Sequence, residues 1–343
     1  MMSAGRLLAA RPSRRRTGIP AVALRAAAVL VLASGLNGSA VAAPAPDTVS
    51  TPAAVPAGAR PFAASSPFNV PIKAHPSLDR NSAAMVARAA RAGMVHANLF
   101  EYAIPIYQAG SRTPKHAVKC TGPASWGSCP LEAAALPIPP GAAANQGSDG
   151  AMTVVDTSTN TVSEYWQAVS SDAGAWSATW GAINSLSGSG WGGSSTGAGA
   201  SRIGGVVRVA EVQAGVIDHA LVMQSDNVCK HVFRPPALKT DGASVRPDCI
   251  PEGARLQLDP GVDVAAISGI TAGEKAVAKA MQVYGAYVID RGGGPLGISF
   301  ELAPDASWST PGSAYAAAGL AWDYYGMPKI PWAKLRVLAS WNG

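Results

Sequence analysis

Between Arg208 and Asp259 the chain gathers acids, bases and two histidines, although only 14% of its residues are charged overall. Glu211, Asp218, His219, Asp241 and Arg255 fall near the ends of expected strands or in the loops joining them, where a rigid scaffold presents polar groups to a ligand. Three chemistries suit these types. Glu211 can serve as a general acid with Asp149 or Asp241 as its partner, because glycoside hydrolysis places two carboxyls across the bond. His219 titrates near neutrality and can carry a proton. The planar guanidinium of Arg255 can hold a carboxylate or sugar hydroxyls. Each also has a structural explanation: a core histidine on a backbone carbonyl, a Glu211–Arg208 pair at helical spacing, Asp-Gly turns at Asp149 and Asp241, and a salt bridge for Arg255.

Trp166, Trp176, Trp180 and Trp191 add a second signal. Indole faces stack on pyranose rings while their N–H groups serve as polar handles. Trp176 and Trp180, four apart on one expected strand, should face the same side, unless they fill the core between sheets. Two apparent signatures carry nothing. Gly188–Gly193 and Gly292–Gly297 satisfy G-x-G-x-x-G without opening a helix after a strand. Gly193–Gly197 satisfies G-x-S-x-G without the strand and helix of a nucleophile elbow. A peptidase therefore lacks a nucleophile or metal set, and neither a metal nor a cofactor is expected.

The elements that must position these residues are mostly strands. Ala151–Asp156 and Val162–Ala168 flank Thr157–Asn160 as a hairpin, and Trp176–Ile183 continues the meander. Ile217–Met223, Ala254–Leu258, Ala286–Asp290 and Gly297–Leu302 read as further strands, with His219 and Asp218 on opposite faces of the first. Leu99–Gln108 reads as a strand that Pro105 confines to an edge or a bulge. Asn81 begins a short helix that Gly93 stops, and Glu211 sits in a helical turn ended by Gly215. Thr271 and Glu274 form a capping box ahead of the apolar stripe Val277, Met281, Tyr284. Short strands with glycine-rich and proline-rich turns predict an all-β sandwich of jelly-roll type over residues 67–343, with two or three peripheral helices.

Export follows from the N-terminus. Five arginines up to Arg16, an apolar run from Ala21 to Leu36 and Ala40-Val41-Ala42 form a secretory signal over residues 1–42, too short for a membrane span. The general secretory route fits better than the twin-arginine route. Residues 43–66, rich in Ala, Pro, Ser and Thr, read as a disordered linker. Of 27 basic and 21 acidic residues, six arginines leave with the signal, so 21 of each remain. That balance excludes nucleic acid and anionic membrane as partners. Cys120 with Cys129 and Cys229 with Cys249 suit two disulfides in an oxidising exterior, since neither pair has the C-x-x-C spacing of zinc sites.

Gly147–Gly150, Tyr165–Ala168, Ile217–Leu221, Pro251–Arg255 and Tyr284–Asp290 resemble segments of a family of secreted actinobacterial proteins. The resemblance covers most of the chain after Pro67 and implies export and a single domain. A concanavalin A-like jelly roll is the fold-level analogy. The expected function is a secreted, monomeric carbohydrate-active enzyme, hydrolase or lyase, acting on an extracellular polysaccharide or cell-wall glycan. In a lyase His219 would be the base and Arg255 the uronate partner. The alternative is a non-catalytic glycan-binding protein.

Overall fold

The computed structural model describes residues 60–343 except 172–173 and 194. The expected signal, and the linker up to residue 59, lie outside the described residues. The packed body begins earlier than the sequence reading placed it. Phe62 is buried, Ala63 N–H donates to Gly188 O, and the Ser66 hydroxyl donates to Ser189 O. One large side chain, Phe62, suffices to anchor a segment whose composition reads as linker.

The chain is β-rich, with short strands in several sheets. A six-stranded sheet runs in the order His96–Asn98, Gly297–Ser299, Leu221–Ser225, Ala286–Arg291, Arg255–Leu258, Leu335–Val337. A four-stranded sheet runs Trp180–Ser185, Thr161–Trp166, Met152–Asp156, Ile106–Ala109. A three-stranded sheet joins Val118–Cys120, Trp176–Ala178 and Val169–Ser170. Pairing is mixed. Leu221–Ser225 runs parallel to Ala286–Arg291, and Ile106–Ala109 parallel to Met152–Asp156.

Side-chain alternation stacks these sheets. Ala220, Val222, Tyr287 and Ile289 face one way and meet Ile106, Val155 and Val162 of the four-stranded sheet. Leu221, Met223, Ala286 and Val288 face the other way, towards Val277 and Met281 of the helix Ala272–Val283. Strands covered on both faces need apolar residues at every position, which is why Leu221–Met223 and Ala286–Ile289 read as continuous apolar runs. Met152, Val154 and Tyr165 of the four-stranded sheet bury a third cluster with Val118, Trp176 and Ala178.

Local chemistry was read correctly. The hairpin forms with antiparallel register Val155↔Val162. The Thr271–Glu274 capping box is made in both directions, with Thr271 N–H donating to Glu274 and Glu274 N–H to the Thr271 hydroxyl. Both disulfides are present, Cys120–Cys129 and Cys229–Cys249. Ile106–Ala109 is an edge strand that starts just after Pro105, so the edge position is as expected but the expected stretch from Leu99 to Pro105 is not strand. The described residues hold four α-helices rather than two or three. Ser82–Ala89, Val209–Ala214 and Ser313–Ala317 are short, and the fourth, Ala272–Val283, packs on the large sheet. One meander strand was misread: Trp176–Ala178 and Trp180–Ser185 are separate strands in different sheets. The break at Thr179 therefore sends Trp176 into a core and leaves Trp180 paired with Trp166.

Candidate functional site

Glu211 and His219 are brought together, and closed off. The capping box of Val209–Ala214 has Arg208 N–H donating to Glu211 Oε2 at 2.8 Å. His219 Nε2 lies 3.0 Å from Glu211 Oε1, and its Nδ1 donates to the Ala220 carbonyl at 2.9 Å. Both partners can accept, which favours the charged ring that donates from both nitrogens. Burial opposes that charge, but the Glu211 hydrogen bond and charge outweigh it and hold His219 above the usual histidine value. Beside them Arg208 Nε sits 3.0 Å from Glu301 Oε2, which also accepts Val209 N–H. The Tyr315 hydroxyl donates to the Glu301 carbonyl.

Arg255 is fully buried, which the sequence reading as a substrate-binding residue did not foresee. Its guanidinium donates to Tyr284 O at 2.7 Å, Trp341 O at 2.7 Å and Val70 O at 2.6 Å. It also lies 5.1 Å from the Tyr287 ring centroid. This arginine ties two ends of the body to the C-terminus of the long helix.

Asp241 has a different setting. It projects from the loop closed by Cys229–Cys249 and meets Glu252, at the end of Ile250–Glu252, and Asp290, near the end of Ala286–Arg291. One oxygen from each of the three carboxyls lies within 4.8 Å of the other two. Asp241 N–H donates to Glu252 Oε2 at 3.2 Å, Arg291 N–H to Asp241 Oδ1 at 3.0 Å, and Gly197 N–H to Asp290 Oδ1. Glu252 is 0% exposed, and its Oε1 has no hydrogen-bond partner. Burial, with repulsion from Asp241 and Asp290, pushes the Glu252 carboxyl up to about 9. Burial raises Asp290 to about 7 as well, with Arg202 opposing and Asp241 and Asp149 adding to the rise.

The acidic surroundings extend across the sheet packing. Glu164 is buried and receives the hydroxyls of Ser195 and Ser201, with burial raising its carboxyl. Arg202 donates to Ser195 O, its Nε has no partner, and its charge favours ionised Glu164 and Asp290. Glu164 and Trp166 share a strand face by the two-residue period, and Trp180 pairs with Trp166. Trp126, 51% exposed, completes an aromatic group, its ring centroid 6.2 Å from that of Trp166 and 5.7 Å from that of Trp180. Trp191 packs instead on Phe68 and Tyr287.

Of the residues singled out from the sequence, Asp241 lies in this acidic group and Asp149 acts on Asp290; Glu252, Asp290, Glu164, Arg202 and Trp126 were not singled out. A signal was present for three of them. Glu164, Glu252 and Asp290 each interrupt or end a β-run of apolar and aromatic residues, as in Tyr287-Val288-Ile289-Asp290, where an acid is expensive unless something is done with it. No family model, no curated protein and no solved structure matches the chain.

Proposed function

We propose that the protein is exported and engages an extracellular polysaccharide or cell-wall glycan through the face that carries Trp126, Trp166 and Trp180. The convergence of these three indoles at one end of the four-stranded sheet carries the reading, since clustered half-exposed indoles offer ring faces to sugars. Two disulfides support an oxidising exterior, and no helix among the described residues is long and apolar enough to cross a membrane. The jelly-roll wiring and the monomeric state belong to this proposal. Packing of the two large sheets over a shared core supports the former, and the parallel pairs weigh against it.

Binding stands ahead of cleavage. The lyase chemistry asks for a free His219 and a free Arg255, and both side chains are engaged inside the body. Hydrolysis remains the second reading, favoured by one observation: Asp290, with a carboxyl raised to about 7, lies beside exposed Asp241. An acid whose proton is held near neutrality, set beside a second carboxyl, is the pairing that glycosidases use. Affinity electrophoresis against a panel of polysaccharides tests the first reading. Retention should fall about tenfold in Trp166→Ala, as for loss of one stacked ring, and unchanged retention would remove the indole face from the proposal. Release of reducing ends, abolished in Asp290→Asn, would replace binding with hydrolysis. An unsaturated product absorbing in the ultraviolet would restore the lyase.

A further inference from the structure

We propose that Asp241, Glu252 and Asp290 form a divalent-cation site of the calcium class, which pins the disulfide loop to the central sheet. The proposal stands apart from the glycan-binding reading. It competes with hydrolysis for the same oxygens.

Three observations carry it. The first is spacing. Calcium holds oxygens at about 2.4 Å, so two ligands on opposite sides of one ion are at most about 4.8 Å apart. One oxygen from each of the three carboxyls meets that limit.

The second is Glu252. It is 0% exposed, yet Oε1 has no hydrogen-bond partner, and a buried acceptor left unsatisfied costs about 1–3 kcal/mol. That oxygen faces the same spot as Asp241. A Cβ placed on Gly197 would lie 2.6 Å from Glu252 Oε1 and 2.7 Å from Asp241 Oδ1. Only the absence of a side chain at Gly197 keeps this approach open, and a cation there would satisfy both oxygens at once.

The third is charge of a single sign. Asp149 adds to the repulsion at Asp290, and Asp241 and Asp290 repel Glu252. Arg202 is the opposing charge, and one of its nitrogens is already given to Ser195 O. Hard carboxylate oxygens select calcium or magnesium over softer metals. Asp241 and Glu252 come from the disulfide loop and the strand that directly follows it, and Asp290 from the distant strand Ala286–Arg291. A bound ion would therefore act as a third clamp beside the Cys229–Cys249 bridge.

The test uses the mature protein stripped with a chelator. Calorimetric titration with calcium chloride should show one saturable site with Kd in the range of about 10⁻⁴ to 10⁻³ M, usual for extracellular modules, and magnesium should bind at least about tenfold more weakly. Glu252→Gln and Gly197→Ala should each weaken calcium at least about tenfold, the first by removing a ligand charge, the second by filling the space without altering charge. Chelated Glu252→Gln should melt no lower than the chelated parent, since it removes a carboxyl that folding must either keep protonated or bury as a charge. If that variant fails to fold, exposed Asp241→Asn replaces it with the same expected loss. Absence of saturable calcium binding, or wild-type affinity in the folded variants, overturns the proposal. So does turnover of a glycan by the chelated protein that calcium inhibits, since the carboxyls would then be acids and bases rather than ligands.

Discussion

Two groups of buried charge lie in this molecule, and they are built oppositely. Around His219 every charge has a partner of opposite sign: His219 with Glu211, Arg208 with Glu301, and backbone N–H groups or carbonyls on what remains. Around Glu252 three carboxyls meet with only Arg202 opposing them at Asp290, and an oxygen is left without a donor. A fully satisfied network rigidifies a fold, while a half-satisfied one stores cost that something must relieve. Proximity of acids and bases in the sequence pointed to the first group. The unsatisfied group is the better candidate for a ligand.

That contrast can be broken at several points. The largest effect is expected at Arg255, where Arg255→Leu strips the donor from three carbonyls and should lower stability by about 4 kcal/mol, as orphaned buried acceptors do. Urea denaturation measures it. Calcium affinity of the remaining folded fraction should not move, because Arg255 touches none of the three acids.

Next comes His219→Ala, which leaves Glu211 without its cation and should cost about 3 kcal/mol. A loss below about 1 kcal/mol would mean that the pair is no more than a surface ion pair. Glycan retention per folded molecule should be unchanged, and a specific loss of retention would return His219 to the site.

The double variant Cys229→Ser, Cys249→Ser should lower stability by about 2 kcal/mol, with calcium affinity falling more steeply than the midpoint. The loop carrying Asp241 can open without unfolding the sheets. Equal affinity with and without the bridge would show that the loop is held by packing alone.

The last test reads a slope rather than a single loss. Glu252 and Asp290 have folded-state values raised above those of free carboxylates. The folded state therefore holds protons that the unfolded chain has released. Stability in chelator should fall as pH rises, from about 4 towards about 7 through Asp290 and on to about 9 through Glu252, by at most about 1.4 kcal/mol per pH unit for each group. His219, also raised, contributes in the same direction: its stabilisation is complete below the ordinary histidine value and is lost above the folded one. Urea midpoints at successive pH values separate the two. Glu252→Gln should flatten the alkaline part of the slope, and His219→Ala should leave that part intact. Calcium should flatten it in the parent, because the ion takes the place of the protons.

Legibility followed sequence distance. The Thr271–Glu274 box, the Thr157–Asn160 turn and the glycine stop after Ala214 were readable because each is settled by residues within about one helical turn or one hairpin of each other. The two cysteine pairings were readable for the same reason, at separations of 9 and 20 residues. The strand break at Thr179 was not. An uninterrupted β-pattern from Trp176 to Ile183 is compatible with one strand or two, and only the partners, Val118 on one side and Trp166 on the other, choose between them.

By itself the sequence determined local elements, while burial of Leu221–Ser225 and Ala286–Arg291 on both faces came from the packing of helix and sheets around them. It did not determine what each charge meets. Arg255 reads as a substrate fork until Val70, Tyr284 and Trp341 arrive from distant parts of the chain to take its donors. Glu252 drew no reading of its own in the sequence, and its setting appears only when Asp290 and Gly197 pack beside it. The energy of a charge depends on its neighbours and on the water excluded around it, and both are set when the sheets close over one another.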